Sequence, residues 1–367
     1  MWLEKLHLIN FKSYEDNLFS FGSRVNCFVG PNGSGKTNLL DAIYTLSLTK
    51  SAFHSQDALA IRNDDIFFLL DGTFQDSQRR TQITCSVQRG HRKTFMADKK
   101  AYEKLSDHIG QFPLVLIAPD DTDLVRDGSE ARRKFFDGVL SQSDAEYLRN
   151  LLQYNKILSQ RNALLKIFSE KNYIDHDLLE TYDQPLLKIM NLLYTRKVAF
   201  LNQYIPLFRK HYNFLCSNQE EVDITYKSHL MDPEFTIEFK KNRTQDLYAQ
   251  RTGKGIHKDE FNFSIDGISL KKFGSQGQIK SFVVALKLAQ FELMRLAQAK
   301  TPILLLDDIF DKLDEFRIQK LLDLIDTGLL GQVFITDARK ERSMGILAHL
   351  KAEVTYFEIK KNSVAEV

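Results

Sequence analysis

Two short runs of this sequence have the residue types of nucleotide chemistry. The run "GPNGSGKT" at residues 30–37 fits the pattern G-x-x-x-x-G-K-[S/T]. Glycines let a backbone wrap closely round phosphate oxygens, with successive N–H groups pointing inward. The expected cradle is Gly30, Pro31, Asn32, Gly33, Ser34, Gly35, Lys36 and Thr37. In it Lys36 reaches the terminal phosphates and Thr37 ligates Mg²⁺, which makes ATP with Mg²⁺ the expected cofactor pair. The second run, "ILLLDD", places Asp307 and Asp308 at the end of four apolar residues. A phosphate loop needs an acid of this kind at the tip of a nearby strand. Asp307 is expected to hold the metal, and Asp308 to orient and partly deprotonate an attacking water. Alone, an acidic strand end is common and says little; paired with the loop it gains meaning.

These groups need elements to position them. The loop follows the apolar, β-leaning "VNCFV" and opens the helical "TNLLDAIYTL", the strand–loop–helix context the motif requires. The N-terminal part alternates as strands do, in "LEKLHLINF" and between Phe67 and Phe95. "FPLVLIAPDD" reads as a buried strand stopped by Pro119. From Val139 to Gln184 neither glycine nor proline occurs and apolar residues recur at helical spacing. The pattern predicts one helix over about 144–169 and more over about 176–212, with Pro185 and Pro206 as points of kinking or splitting. Alternation returns in "EVDITYKS" and "EFNFSIDGISL", followed by a long helix and the strands "TPILLLDDIF" and "GQVFITDA". The expectation is an α/β fold in two lobes: a discontinuous head at residues 1–118 and 250–367, and an inserted, mostly helical lobe at 119–249.

Composition narrows the class. The chain has 367 residues, 43% hydrophobic and 27% charged, as in ordinary globular proteins, and a net charge of +2. A nucleic-acid surface would have to be local. Three scattered cysteines form neither a disulfide framework nor a zinc pattern. The charged N-terminus is no signal peptide, and no apolar run reaches the ~18 residues of a membrane span, so a soluble, cytoplasmic protein is expected.

A third run, "FGSQGQIKSF", sets a flexible string directly ahead of an apolar helix. With "GPNGSGKT" before it and "ILLLDD" after it, it resembles the signature LSGGQ of ABC-type ATPase heads. Ser275, Gly277 and Gln278 match, and Gln276 replaces a glycine; "DKLD", bounded by Asp311 and Asp314, looks like the D-loop. Asp311 and Asp314 equally suit caps for a helix beginning near Glu315. "LHLINFKSYEDN", "LIAPDDTDLVRDGSEARRKFFD", "GIHKDE" and "FGSQGQIKSFVVALKLA" are similar to the RecF family of DNA replication and repair proteins, collinearly over nearly the whole chain.

The resemblance implies an ABC-type P-loop ATPase head and a slow ATPase that dimerises on ATP. It implies ATP-dependent DNA binding, and action with RecO and RecR in loading RecA on gapped DNA and in the SOS response. Each ATP would lie between the phosphate loop of one subunit and Ser275, Gln276, Gly277 and Gln278 of the other. The pattern departs from ABC transporters in two places. Thr336 and Asp337 stand where a histidine is usual, and Asp120 or Asp121 where a glutamine is; Asp337 and Asp120 are candidate γ-phosphate sensors.

Between residues 78 and 104 eight Lys/Arg face only Asp98 and Glu103. Arg79, Arg80, Arg92, Lys93, Lys99 and Lys100 are the candidate DNA contacts, through phosphate rather than base edges. Strand edges protected by basic residues would look the same. Among rivals, an SMC-like structural chromosome ATPase needs a far longer helical arm. A nuclease-linked head needs a further cluster of metal acids, and the stretch after Asp307 is short for one. A transporter ATPase does not match the region after "LVLIAP". A non-catalytic scaffold would not need Lys36, Thr37, Asp307 and Asp308 together.

Overall fold

The computed structural model describes residues 1–77, 79–217, 220–298, 300–311 and 313–360, and the backbone of 363–366. Gln78, at the edge of the basic stretch, and Lys312, inside "DKLD", lie outside the described residues. The chain forms two units. The first comprises Met1–Thr122, Lys210–Gln219 and Gln276–Val367; the second comprises Asp123–Arg209 and Glu220–Ser275.

The chain begins with β1 (Trp2–Phe11), β2 (Tyr14–Ser20), β3 (Val25–Val29) and helix α1 (Lys36–Leu48). Strands β4 (Phe67–Gln75), β5 (Arg80–Gln88), β6 (Thr94–Ala97), β7 (Lys100–Ala101) and β8 (Leu114–Ile117) follow. Then come helices α2 (Asp123–Arg126), α3 (Ser129–Ser143), α4 (Ala145–Lys171) and α5 (His176–Cys216). Next are β9 (Val222–Lys227), α6 (Phe235–Lys241), α7 (Arg243–Ala249), β10 (Glu260–Ile265), β11 (Ile268–Ser269) and α8 (Leu270–Phe273). The last part holds α9 (Gln276–Ala297), β12 (Ile303–Leu306), α10 (Glu315–Asp326) and β13 (Val333–Asp337). It ends with α11 (Lys340–Leu347), β14 (Val354–Lys360) and β15 (Ser363–Glu366).

Two six-stranded sheets build the first unit. One is antiparallel, in the order β2-β1-β4-β5-β6-β7. In β4 and β5 burial alternates strictly, so one face of each strand enters the core, as a two-residue period demands. The other sheet runs β15-β14-β3-β13-β12-β8, parallel except for β15. Its strands β3, β8, β12 and β13 are buried along their whole length, which explains why they read as continuous apolar runs. Between the sheets the rings of Phe21, Phe28, Phe334 and Phe357 meet at 5.0–6.0 Å. Gln332 repairs an irregularity of β1: its buried amide accepts from Leu3 N and donates to Leu3 O and Gly22 O.

The second unit packs its helices on a three-stranded sheet, β11-β10-β9. Because β10 and β11 pair with β9, this unit extends to Ser275 rather than closing near residue 249. Helix α4 starts where Asp144 caps it, accepting from Glu146 N and Tyr147 N. Of the kink or split allowed at Pro185 and Pro206, α5 shows no split: it runs 41 residues with both prolines inside it. Each proline forfeits a backbone bond, an effect of about 3 kcal/mol. The turns beside them are anchored by Leu186 and Met190 and by Tyr204 and Phe208, all fully buried. Burial of this kind contributes about 1.5–3 kcal/mol per side chain and offsets the loss.

The run "GIHKDE" buries Gly255, Ile256 and Asp259 in this unit and leaves Lys258 and Glu260 exposed. His257 Nε2 donates to Thr252 O at 2.9 Å, which leaves Nδ1 to accept from Tyr154 O–H at 2.6 Å. Burial pushes its pKa down to about 4, so it stays neutral. Asp259 is fully buried against Lys197 at 3.2 Å and Tyr226 O–H at 2.6 Å. Beside α7, Arg161 is wholly buried between Asp183 (2.6 Å) and Asp246 (2.8 Å). Removing one member of such a pair strands a buried charge, so these groups specify one packing of the unit.

Candidate nucleotide site

The motifs of the first unit meet at the carboxyl edge of the parallel strands, where ligands bind in open α/β sheets. Strand β3 runs into Gly30, β12 leads directly into Asp307, and β13 ends in Thr336 and Asp337, in register with Phe28 and Val29. An open cleft of about 270 Å³ lies there. It is lined by Asn32, Gly33, Gly35, Lys36, Thr37, Asn38, Pro119, Asp307, Asp308 and Thr336.

Two glycines are required by contact. A Cβ at Gly30 would stand 2.2 Å from Ile359 O, a backbone atom that cannot move aside. Gly35 has φ 112°, and a Cβ there would meet Ser13 Oγ at 2.7 Å. Tyr14 O–H donates to Gly35 O at 3.1 Å, and Asn38 Nδ2 donates to Ser13 Oγ at 2.9 Å. The β1–β2 turn therefore braces the loop from outside. Sequence reasoning missed this role, because only the hairpin pairing brings "KSY" to Gly35.

Lys36 is buried, and its ammonium donates to Gly30 O (2.7 Å) and Pro31 O (3.0 Å). Burial lowers its pKa, opposed by the carboxylates of Asp308, Asp307 and Asp337. Thr37 Oγ1 lies 3.1 Å from both oxygens of Asp307. Burial raises the Asp307 pKa, and hydrogen bonds from Thr336 and Thr37 work against that rise. Thr37 and Asp307 form a hard, all-oxygen pair that suits Mg²⁺. Ser34 Oγ, inside the loop, is buried with no hydrogen-bond partner among the described residues. The residues present thus fit a phosphate-bound cation.

Asp308 lines the cleft in the left-handed region, φ 51°. Its N–H donates to Thr336 Oγ1 at 2.9 Å, and that hydroxyl donates to Asp307 Oδ1 at 2.7 Å. Asp337 is wholly buried, accepting from Ala338 N at 2.8 Å and from Ser343 O–H. Its carboxylate lies within 4.8 Å of those of Asp308 and Asp311. Asp337 does not line the cleft, so it sits behind the acids rather than among the groups facing a ligand. Asp120 is exposed and also outside the lining; its neighbour Pro119 is the residue that reaches it. Asp121 is occupied by Ala118 N and Lys287. Asp314 is the cap of α10, accepting from Arg317 N at 2.9 Å, while Asp311 takes hydrogen bonds from Arg342 and Arg339. Ser275, Gln276 and Gly277 are exposed where α9 begins, and Gln276, Gly277 and Gln278 do not line the cleft.

The basic stretch is not one patch. Arg79 and Arg80 flank the β4–β5 turn, and Lys99 and Lys100 the β6–β7 turn, at one end of the sheet. Arg92 and Lys93 lie in the β5–β6 turn at the other end. The nine residues of β5 separate the two ends by roughly 30 Å. Lys93 is moreover bound to Thr49 O and Asp57, both at 2.6 Å, so it serves the C-terminus of α1. Asp98 and Lys99 take φ 48° and 65° in a two-residue hairpin turn, which aims Lys99 and Lys100 outward.

A glycine loop facing a strand-end acid on a mostly parallel sheet, beside an antiparallel sheet, in a chain interrupted by a helical insertion, defines an ABC-type P-loop ATPase head. The family model described as "RecF/RecN/SMC N terminal domain" matches residues 2–355. An Smc head domain from Pyrococcus furiosus shares this fold, with a TM-score of 0.58 at 16% identity, covering all of this chain and 96% of that one. Within the class the chain belongs to the RecF family. It is 44% identical over 347 residues to "DNA replication and repair protein RecF" of Flavobacterium johnsoniae, covering 95% of this chain and 97% of that one. It is 45% identical over 343 residues to the protein of the same description from Cytophaga hutchinsonii, covering 94% and 91%. A solved structure of "the recombination mediator protein RecF-ATPrS in RecFOR pathway" superposes with a TM-score of 0.90 at 26% identity, covering all of this chain and 98% of that one.

Proposed function

We propose that this chain binds ATP and Mg²⁺ in the cleft, hydrolyses ATP slowly and dimerises while it is bound. In that state it binds DNA and works with RecO- and RecR-like partners to load RecA on gapped DNA in the cytoplasm. The observation that carries this reading is the contact of Thr37 with Asp307 across the sheet, both oxygens at 3.1 Å. The likeness to RecF with bound ATP, at a TM-score of 0.90, supports it. No helix of the described residues is long and apolar enough to cross a membrane. The longest, α5, is 41 residues, about 60 Å, far short of an SMC arm.

In this reading Lys36 leaves the carbonyls of Gly30 and Pro31 to meet the terminal phosphates. Thr37 and Asp307 hold Mg²⁺, which when bound neutralises charge on the phosphates. Asp308 orients the attacking water and accepts its proton. Ser275, Gly277 and Gln278, of which Ser275 and Gly277 are exposed, close on the γ-phosphate held by a second copy. Sedimentation with and without ATP–Mg²⁺ tests this: a shift from monomer to dimer is expected, and an unchanged monomer would overturn it.

For DNA, the division of the basic stretch sharpens the expectation. Reversing Arg79, Arg80, Lys99 and Lys100 to Glu should weaken DNA binding at least tenfold and flatten its salt dependence. Lys93→Glu should instead lower thermal stability, because it breaks the tie to Thr49 and Asp57. Binding and salt slope unaffected by the fourfold reversal would assign those cations to edge protection alone.

A further inference from the structure

Thr336 has no role in the assignments above, yet its hydroxyl touches both acids, Asp307 through the carboxylate and Asp308 through the backbone N–H. We infer that Thr336 is a positioning residue: through one hydroxyl it sets the rotamer of the Asp307 carboxylate and the left-handed backbone of Asp308. The inference rests on the nucleotide–Mg²⁺ reading of the cleft.

The geometry is specific. Thr336 is 1% exposed on the central strand β13, paired on one side with β3 and continuing beside β12 on the other. Its Oγ1 donates to Asp307 Oδ1 at 2.7 Å and accepts from Asp308 N at 2.9 Å. A hydroxyl can do both at once, having one proton and two lone pairs. Asp308 needs such an anchor, because a non-glycine residue at φ 51° carries strain that the surroundings must hold in place. Asp307 needs it as well. Thr37 Oγ1 is equidistant from the two carboxylate oxygens, so that contact alone does not select a rotamer. Thr336 donates to Oδ1 and so distinguishes the two. Groups one shell behind a metal ligand typically change metal affinity or activity by 10–100-fold when removed.

Thr336→Val removes the hydroxyl and keeps the β-branched shape a central strand favours; Thr336→Ser keeps the hydroxyl and removes the methyl. Binding of a fluorescent ATP analogue is measured for each with EDTA and with Mg²⁺, beside thermal melting. Thr336→Val should bind as wild type in EDTA, within about twofold, and lose about tenfold of the affinity that Mg²⁺ adds, because Asp307 is no longer held in place. Its turnover should fall by a similar factor, and Thr336→Ser should restore both. A full Mg²⁺ gain in Thr336→Val would overturn the inference. So would equal losses in EDTA and Mg²⁺, or a Thr336→Ser as impaired as Thr336→Val, since both mark a packing role. If Thr336→Val does not fold, Thr336→Ala against Thr336→Ser makes the same comparison. A wild-type protein that gains nothing from Mg²⁺ fails the cleft reading itself, a result distinct from failure at Thr336.

Discussion

Replacing Lys36 with methionine is expected to lower nucleotide affinity at least a hundredfold, about 2.7 kcal/mol, and to abolish nucleotide-dependent dimerisation. In the structure the ammonium is folded back on Gly30 O and Pro31 O, at 2.7 and 3.0 Å, inside the loop it must serve. Phosphate oxygens would take over from those carbonyls with full negative charges, and charge-assisted bonds are about twice as strong as neutral ones. Methionine keeps the length of the side chain but offers neither charge nor donor. The apo fold should tolerate it. Burial already disfavours the charged lysine, as its lowered pKa records, so its loss removes a desolvation penalty together with two hydrogen bonds. Melting of the apo protein should therefore move little while binding collapses. A variant that still dimerises on ATP–Mg²⁺ would remove Lys36 from the site.

What the sequence made legible follows from range. The phosphate loop and the strand-end acids are local: five or so residues in a row carry their own strand, turn and helix signals, and both motifs stand in the structure where the pattern put them. Helix α4 was readable for the same reason, through its helical spacing of apolar residues and the absence of glycine and proline. Contributions from pairing between distant segments were not. Thr336 acquires its two partners only because β12 and β13 lie in parallel register, Leu306 opposite Ile335. The cations around β5 looked like one patch because they are close in sequence; the hairpins send them to opposite ends of a sheet. Lys93 reads as a free charge until the end of α1 is seen to need it. The prolines of α5 argued for a kink or a split, and with Leu186, Tyr204 and Phe208 buried beside them the helix stays unsplit.

Asp308→Asn should separate hydrolysis from assembly. The side chain lines the cleft while its backbone sits at φ 51°, held by Thr336. Asparagine suits that conformation at least as well as aspartate and has the same shape, so the strand end should be undisturbed. The change removes a proton acceptor and a negative charge. Without the acceptor, an oriented water loses its general base, which typically contributes 10²–10⁴-fold, and hydrolysis should fall by about a hundredfold or more. Without the charge, the cluster of Asp308, Asp311 and Asp337, whose oxygens lie within 4.8 Å of one another, loses its one cleft-lining anion, which favours an approaching γ-phosphate. Nucleotide binding should then hold or tighten slightly. Slow hydrolysis joined to intact binding gives a dimer that outlives the wild type, visible as a persistent fast-sedimenting species after ATP is diluted. The pairing of outcomes matters. A loss of binding along with hydrolysis would place Asp308 beside Asp307 as a metal holder. Hydrolysis at the wild-type rate would assign the water-orienting role to another group, and Asp311 and Asp337 are the neighbouring carboxylates.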